Sequence, residues 1–241
     1  TQTVEVMKTV GVKMHKTLSN STKVMMAVEP SQRKNEWNNE GEKPESTFLG
    51  MKWKKGDKLG ISVANVPKKK VTTKREFLKI LAGQFDPLGF ICPFLIVAKL
   101  LLQRMWSQGI SWDEPLPEDL EKETNEWTDQ LQDLEDVEIP RRVAPGEIVV
   151  LYGFCDSSDF AYAAEVYGGT ADGKVGWITA KSRVHSLKPR SIQQKELQGA
   201  VLLAQLMKEV YKVYPDLKTI LWTDSTTVIA WITVDDPRKH L

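Results

Sequence analysis

Three acidic residues lie where a β-sheet would bring distant parts of the chain together. Asp156 follows an apolar run at 148–155, Asp224 follows another at 219–222, and Glu196 lies near the start of a long predicted helix. Ends of neighbouring strands and the first turns of a covering helix can meet at one edge of a sheet. Carboxylates among apolar neighbours are costly unless they bind a cation, and oxygen ligands suit Mg²⁺ or Mn²⁺. The pattern is typical of a two-ion site that hydrolyses phosphodiesters.

The same placement also fits a purely structural role for these residues. Aspartates at strand ends are common in turns and at helix starts, so Asp156 and Asp224 could be caps. Glu196 could be a solvated helix residue whose negative charge interacts favourably with the N-terminal end of the helix dipole. Spacing alone leaves both interpretations open.

Two basic segments could contact a nucleic-acid backbone. One is the run Lys68, Lys69 and Lys70, and residues 1–75 as a whole carry 16 Lys and Arg against 7 Asp and Glu. The other lies at 181–190 and contributes the candidate phosphate contacts Lys181, Arg183, Lys188 and Arg190. Such clusters attract phosphates, but a plain charged surface has the same composition, and both interpretations stay open.

Several classes of protein find no support in the sequence. The two cysteines, Cys92 and Cys155, form no CxxC or Cys/His cluster, so we expect reduced thiols and no zinc. No GxSxG, GxGxxG or GxxxxGK[ST] motif occurs, although a Ser/His/Asp triad could still be assembled from remote positions. The longest apolar stretch, 90–102, is too short to span a membrane, so no membrane partner is expected.

The elements that must position the acidic residues follow from local patterns. We expect a mixed α/β sheet in the C-terminal part, because three strands in a row favour antiparallel pairing and a helical crossover favours a parallel fourth. A capping box, Ser191-x-x-Gln194, marks the start of the crossover helix. The predicted strands are 148–155, 161–167, 175–180 and 219–222, and a last helix covers 225–232.

The part before residue 148 is predicted to be mostly helical, with a small β-rich start. Apolar spacing predicts helices over 74–84, 94–108 and 118–134, and 138–147 is the expected linker. A hairpin turn at 54–57 should join strands at 47–53 and 58–63. Further towards the N-terminus we expect a short helix, a strand at 23–28 and an exposed loop at 29–46.

Five blocks in order resemble the Pol polyprotein of BEL/Pao-class long-terminal-repeat retrotransposons. The first resembles the segment after the polymerase palm, the next two the connecting region, and the last two the first and fourth strands of the ribonuclease H domain. In this chain the blocks are Phe85-Asp86-Pro87-Leu88-Gly89, residues 109–117, Ile139-Pro140-Arg141, Phe154-Cys155-Asp156-Ser157-Ser158 with Ala161-Tyr162, and Leu221-Trp222-Thr223-Asp224-Ser225 with 228–231.

The resemblance implies three regions. Residues 1–66 would be the end of a reverse transcriptase palm, 67–147 a helical thumb or connection region, and 148–241 a ribonuclease H-like domain that is incomplete at its C-terminus. The fold class would be α/β, with a mixed sheet in that last region.

The resemblance also implies a function. Asp156, Glu196 and Asp224 match three of the family's four metal-binding carboxylates. They would hold two Mg²⁺ ions, with Mn²⁺ as a substitute, and hydrolyse the RNA strand of an RNA–DNA hybrid. The remaining partner would be the rest of the Pol polyprotein, and the expected location is a cytoplasmic virus-like particle, with the nucleus as an alternative.

Some positions depart from the family's pattern. The fourth acidic residue would lie beyond Leu241, since Asp235 and Asp236 come too early, so we expect weak or no cleavage from this chain alone. Gln193-Gln194-Lys195 replaces the usual residues before the helix glutamate, and Ala163 replaces a glycine. The alternatives are a non-catalytic nucleic-acid-binding relic and an interaction module of a host protein.

Overall fold

The computed structural model describes residues 6–7, 9–12, 17–19, 21–33, 46–48, 51–54, 56–63, 66 and 69–233. Lys68, His15, His240, Asp235 and Asp236 lie outside these ranges. The described part contains two four-stranded sheets and a layer of helices, which confirms the mixed α/β class.

The first sheet is antiparallel, with four short strands in the order β1-β2-β3-β4: β1 (Ser46–Phe48), β2 (Met51–Lys54), β3 (Lys58–Ile61) and β4 (Glu138–Pro140). Gly56 (φ 81°) and Asp57 (φ 59°) make the tight turn between β2 and β3, as the predicted hairpin requires. The prediction of one strand over 47–53 is wrong, because β1 and β2 are two strands that pair antiparallel with each other. The predicted linker is wrong at its start, because Glu138–Pro140 pairs with β3.

Near the N-terminus, α1 (Thr22–Ala27) replaces the strand predicted at 23–28. Six residues with weak alternation do not distinguish the two states, and no strand of the described chain lies beside this segment to pair with it. The predicted loop contains a short 3₁₀ turn, Pro30–Gln32, whose Gln32 is buried.

Three α-helices lie between β3 and β4 in the sequence and form the helical layer. They are α2 (Lys74–Gly83), α3 (Cys92–Ser107) and α4 (Glu118–Asp129), which continues as a 3₁₀ helix over Gln130–Asp136. Thr73 caps α2 by accepting the N–H of Glu76. The layer packs around Trp127, whose ring lies 4.9 Å from that of Phe94 and 5.5 Å from that of Phe77. These are the three helices that the apolar spacing predicts.

The second sheet has the predicted topology, with strands in the order β7-β6-β5-β8 and only β8 parallel to its neighbour. The capping box of Ser191 and Gln194 starts its crossover helix, which packs Leu202 and Met207 on the sheet residues Leu151 and Val166. The elements are β5 (Ile148–Ser157), β6 (Ala161–Thr170), β7 (Val175–Val184), α5 (Ile192–Val210), β8 (Lys218–Trp222) and α6 (Thr226–Thr233).

The turn at 86–89 joins the helical layer to β7. The Leu88 carbonyl accepts hydrogen bonds from the Ala180 N–H (2.8 Å) and the Thr179 hydroxyl (2.7 Å). The Asp86 carboxylate accepts the N–H groups of Phe90 and Ile91, which holds the turn at the start of α3. The helical layer is therefore fixed directly to the edge of the second sheet.

None of the helices described is both long and apolar enough to cross a membrane.

Candidate functional site

Asp156 and Asp224 lie on neighbouring strands at the same end of the second sheet. Asp156 is the penultimate residue of β5, and Asp224 follows β8 by two residues. The parallel register of these strands ends with the pair Phe154 and Trp222, so each aspartate stands two residues beyond that pair. Because neighbouring strands are about 5 Å apart, the backbones that carry the two carboxylates lie close to each other.

Both aspartates line one pocket on the face of the sheet that is turned away from α5. Residues alternate between the two faces of β5, so Cys155 packs towards α5 while Phe154 and Asp156 are exposed on the other side. The pocket has a volume of about 640 Å³, and its far wall is the start of α3, with Cys92 and Pro93. The two aspartates are thus accessible together.

Glu196 lies close by but is directed elsewhere. It belongs to the second turn of α5, and its carboxylate accepts a hydrogen bond from the Ser225 hydroxyl. One turn later, Gly199 packs on the backbone of Asp156, where an added Cβ would lie 3.2 Å from the carbonyl oxygen. Helix α5 therefore touches the end of β5, yet the Glu196 carboxylate does not line the pocket of the two aspartates.

Ser225, and not Asp224, caps helix α6. The buried Ser225 hydroxyl accepts the N–H of Val228 at 3.2 Å. Within the described part of the chain, the Asp224 carboxylate makes no hydrogen bond or salt bridge, and the Asp156 carboxylate accepts only the N–H of Ser157. The capping role that the sequence left open for Asp224 is therefore taken by its neighbour.

The three predicted ligands are neighbours that do not form a metal centre in this arrangement. Among the residues described, no three His, Cys, Asp or Glu side chains are placed to hold one ion. The reason is local: Asp156 and Asp224 face the pocket, whereas Glu196 is bound to Ser225.

Both aspartates affect the pKa of the Cys155 thiol. Burial raises the pKa of this thiol above its ordinary value of 9.0, and the negative charges of Asp156 and Asp224 raise it further, against the Thr223 side chain, which lowers it. The thiol is therefore neutral near pH 7, and it lies within the electrostatic range of both carboxylates.

His185 belongs to the basic segment 181–190, for which we expected an exposed position, yet its side chain is buried. It is 5% exposed and stacks on Tyr162, with ring centres 4.9 Å apart. Its Nε2 lies 3.0 Å from the Ser157 hydroxyl and 3.1 Å from the Ser158 carbonyl oxygen, and its Nδ1 lies 2.9 Å from Gln198 Oε1. We call these residues the His185 network. Its members are far apart in sequence, so no local pattern indicates it.

The Ser157–His185 contact does not make a serine nucleophile. A Ser/His/Asp triad requires a carboxylate beside the second ring nitrogen of the histidine. In this protein Nδ1 of His185 lies 2.9 Å from Oε1 of Gln198, which is an amide oxygen and not a carboxylate. This arrangement argues against the Ser/His/Asp hydrolase that the sequence left open.

The predicted basic contacts are exposed on the second sheet and the loop that follows it. Lys181 and Arg183 lie in β7, and Lys188 and Arg190 lie before α5; none of the four forms a salt bridge with a described residue. Arg183 and Arg190 line the same groove of about 330 Å³, beside Tyr162. Across the sheet, Arg183 pairs with Tyr162, which pairs with Ser157 next to Asp156. This groove is lined by residues of α5, so it lies on the other side of the sheet from the pocket of Asp156 and Asp224.

The other basic run is only partly described. Lys69 is exposed and forms a salt bridge of 3.4 Å with Glu76, and Lys70 is exposed. Lys68 lies outside the described residues. This ion pair partly neutralises Lys69, so its attraction for a phosphate is weaker.

Comparisons with known proteins place these observations in a family. No curated protein matches the chain. The solved structures that resemble it include two of the foamy viral protease-reverse transcriptase with double-stranded DNA, one of them in a form designated dRH. The dRH form has a TM-score of 0.46 and 14% identity and covers 77% of this chain, and the other has 0.47, 16% and 80%. The chain spans 32% and 43% of the length of those two proteins.

The family comparison covers the helical layer and most of the second sheet. Residues 73–225, well over half of the chain, match the model of the Pao retrotransposon-like RNaseH-like domain. The match begins at the cap of α2 and ends at Ser225, and it includes all three carboxylates of the candidate site. The chain therefore belongs to the Pao retrotransposon-like RNaseH-like domain family.

Proposed function

We propose that this chain is part of a BEL/Pao-class retrotransposon Pol polyprotein and that its second sheet supports metal-dependent hydrolysis of the RNA strand of RNA–DNA hybrids. Family membership supports a role in nucleic-acid processing. The observation that carries the proposal is the pair Asp156 and Asp224, two exposed carboxylates side by side at the end of β5 and β8 without a cationic partner in the described chain.

The chemistry of this pair fits a hard divalent cation. Two neighbouring carboxylates repel each other, and Mg²⁺ or Mn²⁺, which prefer oxygen ligands, would relieve that repulsion. Asp156 and Asp224 would hold the metal, and Glu196 would complete the set after giving up its hydrogen bond to Ser225. When bound, two such ions activate a water molecule and stabilise the leaving oxygen of a phosphodiester.

The protein's own part in the reaction is to bind and orient the hybrid. Lys181 lines the pocket of the two aspartates and would contact a phosphate there. Arg183 and Arg190 would contact phosphates in the groove on the α5 side of the sheet, with Lys188 in the same loop as Arg190 and with Lys68, Lys69 and Lys70 further away. Selection of RNA would rest on the 2′-hydroxyl and on the shape of the hybrid.

The wider setting is part of the same proposal. Residues 1–66 would be the end of a polymerase palm, 67–147 a thumb or connection region and 148–241 the ribonuclease H-like region. The other partner would be the remainder of the Pol polyprotein, in a cytoplasmic virus-like particle or in the nucleus.

The test is cleavage of a hybrid with a labelled RNA strand in the presence of Mg²⁺. It should use the 241-residue chain and the complete product of its reading frame in parallel. Asp224→Asn should lose nearly all cleavage while the fold, followed by circular dichroism, survives. Asp216→Asn is the matched control, because Asp216 is an exposed residue with φ 59°, a conformation that asparagine tolerates. Equal cleavage by Asp224→Asn and the parent would refute the proposal.

A second candidate function is binding of nucleic acid without catalysis. The hydrogen bond that holds Glu196 to Ser225, and the lack of a three-ligand cluster among the described residues, favour it. Hybrid binding that is independent of divalent ions, together with no cleavage by either form of the protein, would select this alternative.

A further inference from the structure

We propose that His185 is a positioning residue for the carboxylate site, defined as Asp156, Glu196 and Asp224. Its ring ties the end of β5 to helix α5 and so sets the separation of Asp156 and Glu196. This inference rests on the proposed function, since it concerns the same site.

On one side, His185 holds the chain immediately after Asp156. Nε2 lies 3.1 Å from the Ser158 carbonyl oxygen and 3.0 Å from the Ser157 hydroxyl. The His185 backbone N–H also donates to the carbonyl of Phe160, at 2.9 Å. His185 therefore contacts the connection between β5 and β6 through its ring and through its backbone, in addition to the bond from Lys195 to Asp159.

On the other side, His185 reaches α5 and α3. Nδ1 lies 2.9 Å from Oε1 of Gln198, two residues after Glu196 on α5. The His185 carbonyl accepts a hydrogen bond from the Gln103 side chain of α3. A single buried imidazole thus contacts the element that carries Asp156 and the element that carries Glu196.

Helix α5 and strand β5 pack tightly, so the separation of Asp156 and Glu196 depends on the contacts of His185. Gly199 already lies against the Asp156 backbone, so α5 and β5 have no gap to adjust at that point. Movement can instead occur as a rotation about this contact, and the His185 network opposes such a rotation on the Ser157 side. Without the imidazole, only the exposed ion pair of Lys195 with Asp159 would join the helix to the chain after the strand end, and a small rotation would become easier.

The experiment measures Mn²⁺ binding to the 241-residue protein by electron paramagnetic resonance, so it does not depend on turnover. His185→Phe keeps the ring that stacks on Tyr162 and removes both ring nitrogens. We expect Mn²⁺ to bind roughly tenfold more weakly, the lower end of the range for residues that orient metal ligands. His185→Gln retains a donor for the Ser158 carbonyl and should recover part of the loss. Amide hydrogen exchange at Ser157 and Ser158 should rise in the Phe variant.

A matched control separates positioning from general stability. Val210→Ala removes buried volume at the far end of α5, so it should lower the unfolding temperature and leave Mn²⁺ affinity unchanged. If Val210→Ala and His185→Phe weaken Mn²⁺ binding equally for the same loss of stability, His185 has only a structural role.

The outcomes also distinguish this inference from the proposed function. Parent protein that binds Mn²⁺ more tightly than Asp224→Asn, together with undiminished binding by His185→Phe, would overturn the inference alone. Parent protein that binds Mn²⁺ no better than Asp224→Asn would overturn both.

Discussion

Gly89 lies directly against the carbonyl of Ala180, so close that a Cβ atom on Gly89 would stand 1.8 Å from the carbonyl oxygen. The residue also has φ +80°, a conformation that L side chains rarely adopt. Contact and conformation together require glycine at this point, where the helical layer meets β7.

Gly89→Ala should therefore destabilise the protein substantially. The backbone conformation alone costs about 1–2 kcal/mol, and the clash with backbone atoms adds to it because neither segment can move away freely. The urea midpoint of unfolding is the measurement. Gly109→Ala is the control: Gly109 has φ +71° but nothing within 4 Å of an added Cβ, so it should show the conformational cost only. Equal losses in the two variants would contradict the close contact.

Lys74 gives a second prediction, since it is a charged residue that is 2% exposed. Its ammonium group donates to the Ile110 carbonyl and lies 3.8 Å from the centre of the Trp106 ring. Lys74→Ala should lower the free energy of unfolding by about 2–4 kcal/mol, from the cavity and the unsatisfied carbonyl. Lys79→Ala, at an exposed position of the same helix, should change it by less than about 0.5 kcal/mol. Thermal unfolding of both variants checks the difference.

Glu76 predicts how stability depends on pH. The Thr72 N–H donates to its carboxylate, and this hydrogen bond, with help from Lys69, lowers the pKa of Glu76 below its ordinary value of 4.5. A carboxyl group with a lowered pKa in the folded state stabilises the fold above its ordinary pKa, and that stabilisation is lost as pH falls through the folded value. Glu76→Gln should therefore remove part of the loss of stability between about pH 5 and pH 3. If the free energy of unfolding changes equally with pH in parent and variant over this range, the assignment is contradicted.

The groove lined by Arg183 and Arg190 predicts a salt dependence of nucleic-acid binding. Replacing Arg183 and Arg190 by glutamine should weaken binding to a hybrid at every sequence. It should also reduce the slope of log K against log salt by about 0.9 for each phosphate that the protein no longer neutralises. Arg75→Gln is the control, because Arg75 is paired with Asp113 at 2.6 Å. Fluorescence anisotropy at several salt concentrations measures the slope. An unchanged slope in the double variant would exclude the groove as a phosphate-binding surface.

The elements of the second sheet were predictable because their signals are local. The capping box at Ser191 lies within four consecutive positions, and the first strand is one continuous apolar run. The order of strands and helices then determines parallel or antiparallel pairing through connection length. The same local basis applies to α2, which begins at Lys74 as predicted.

The contacts that sequence reasoning missed join positions far apart in the chain. Strand β4 pairs with β3 across about 80 residues, and its three residues carry no strand pattern of their own. The buried side chain of Lys74 has partners near residue 110. Burial of His185 likewise depends on Ser157 and Gln198, and a basic sequence around it indicates the opposite.

For the candidate site, the sequence predicts the place but not the direction of each side chain. The pattern puts Asp156, Glu196 and Asp224 near one end of the sheet, and their backbones are found there. The partner of Glu196 is Ser225, a residue whose hydroxyl also caps α6. The Ser225 hydroxyl donates to Glu196 and accepts from the Val228 N–H at the same time, and a linear pattern contains no information on this contact between α5 and the start of α6. The assignment of these three residues as metal ligands stays a prediction.

The turn that carries Leu88 covers part of the outer edge of β7. Outermost strands with bare N–H and C=O groups recruit strands from other molecules. Dividing the chain at residue 148 would uncover the Ala180 N–H and the apolar surface beneath the turn, and the liberated sheet would tend to associate with itself and precipitate. We therefore expect the helical layer to limit association of the sheet by covering the edge of β7. Both parts should be produced together as one polypeptide.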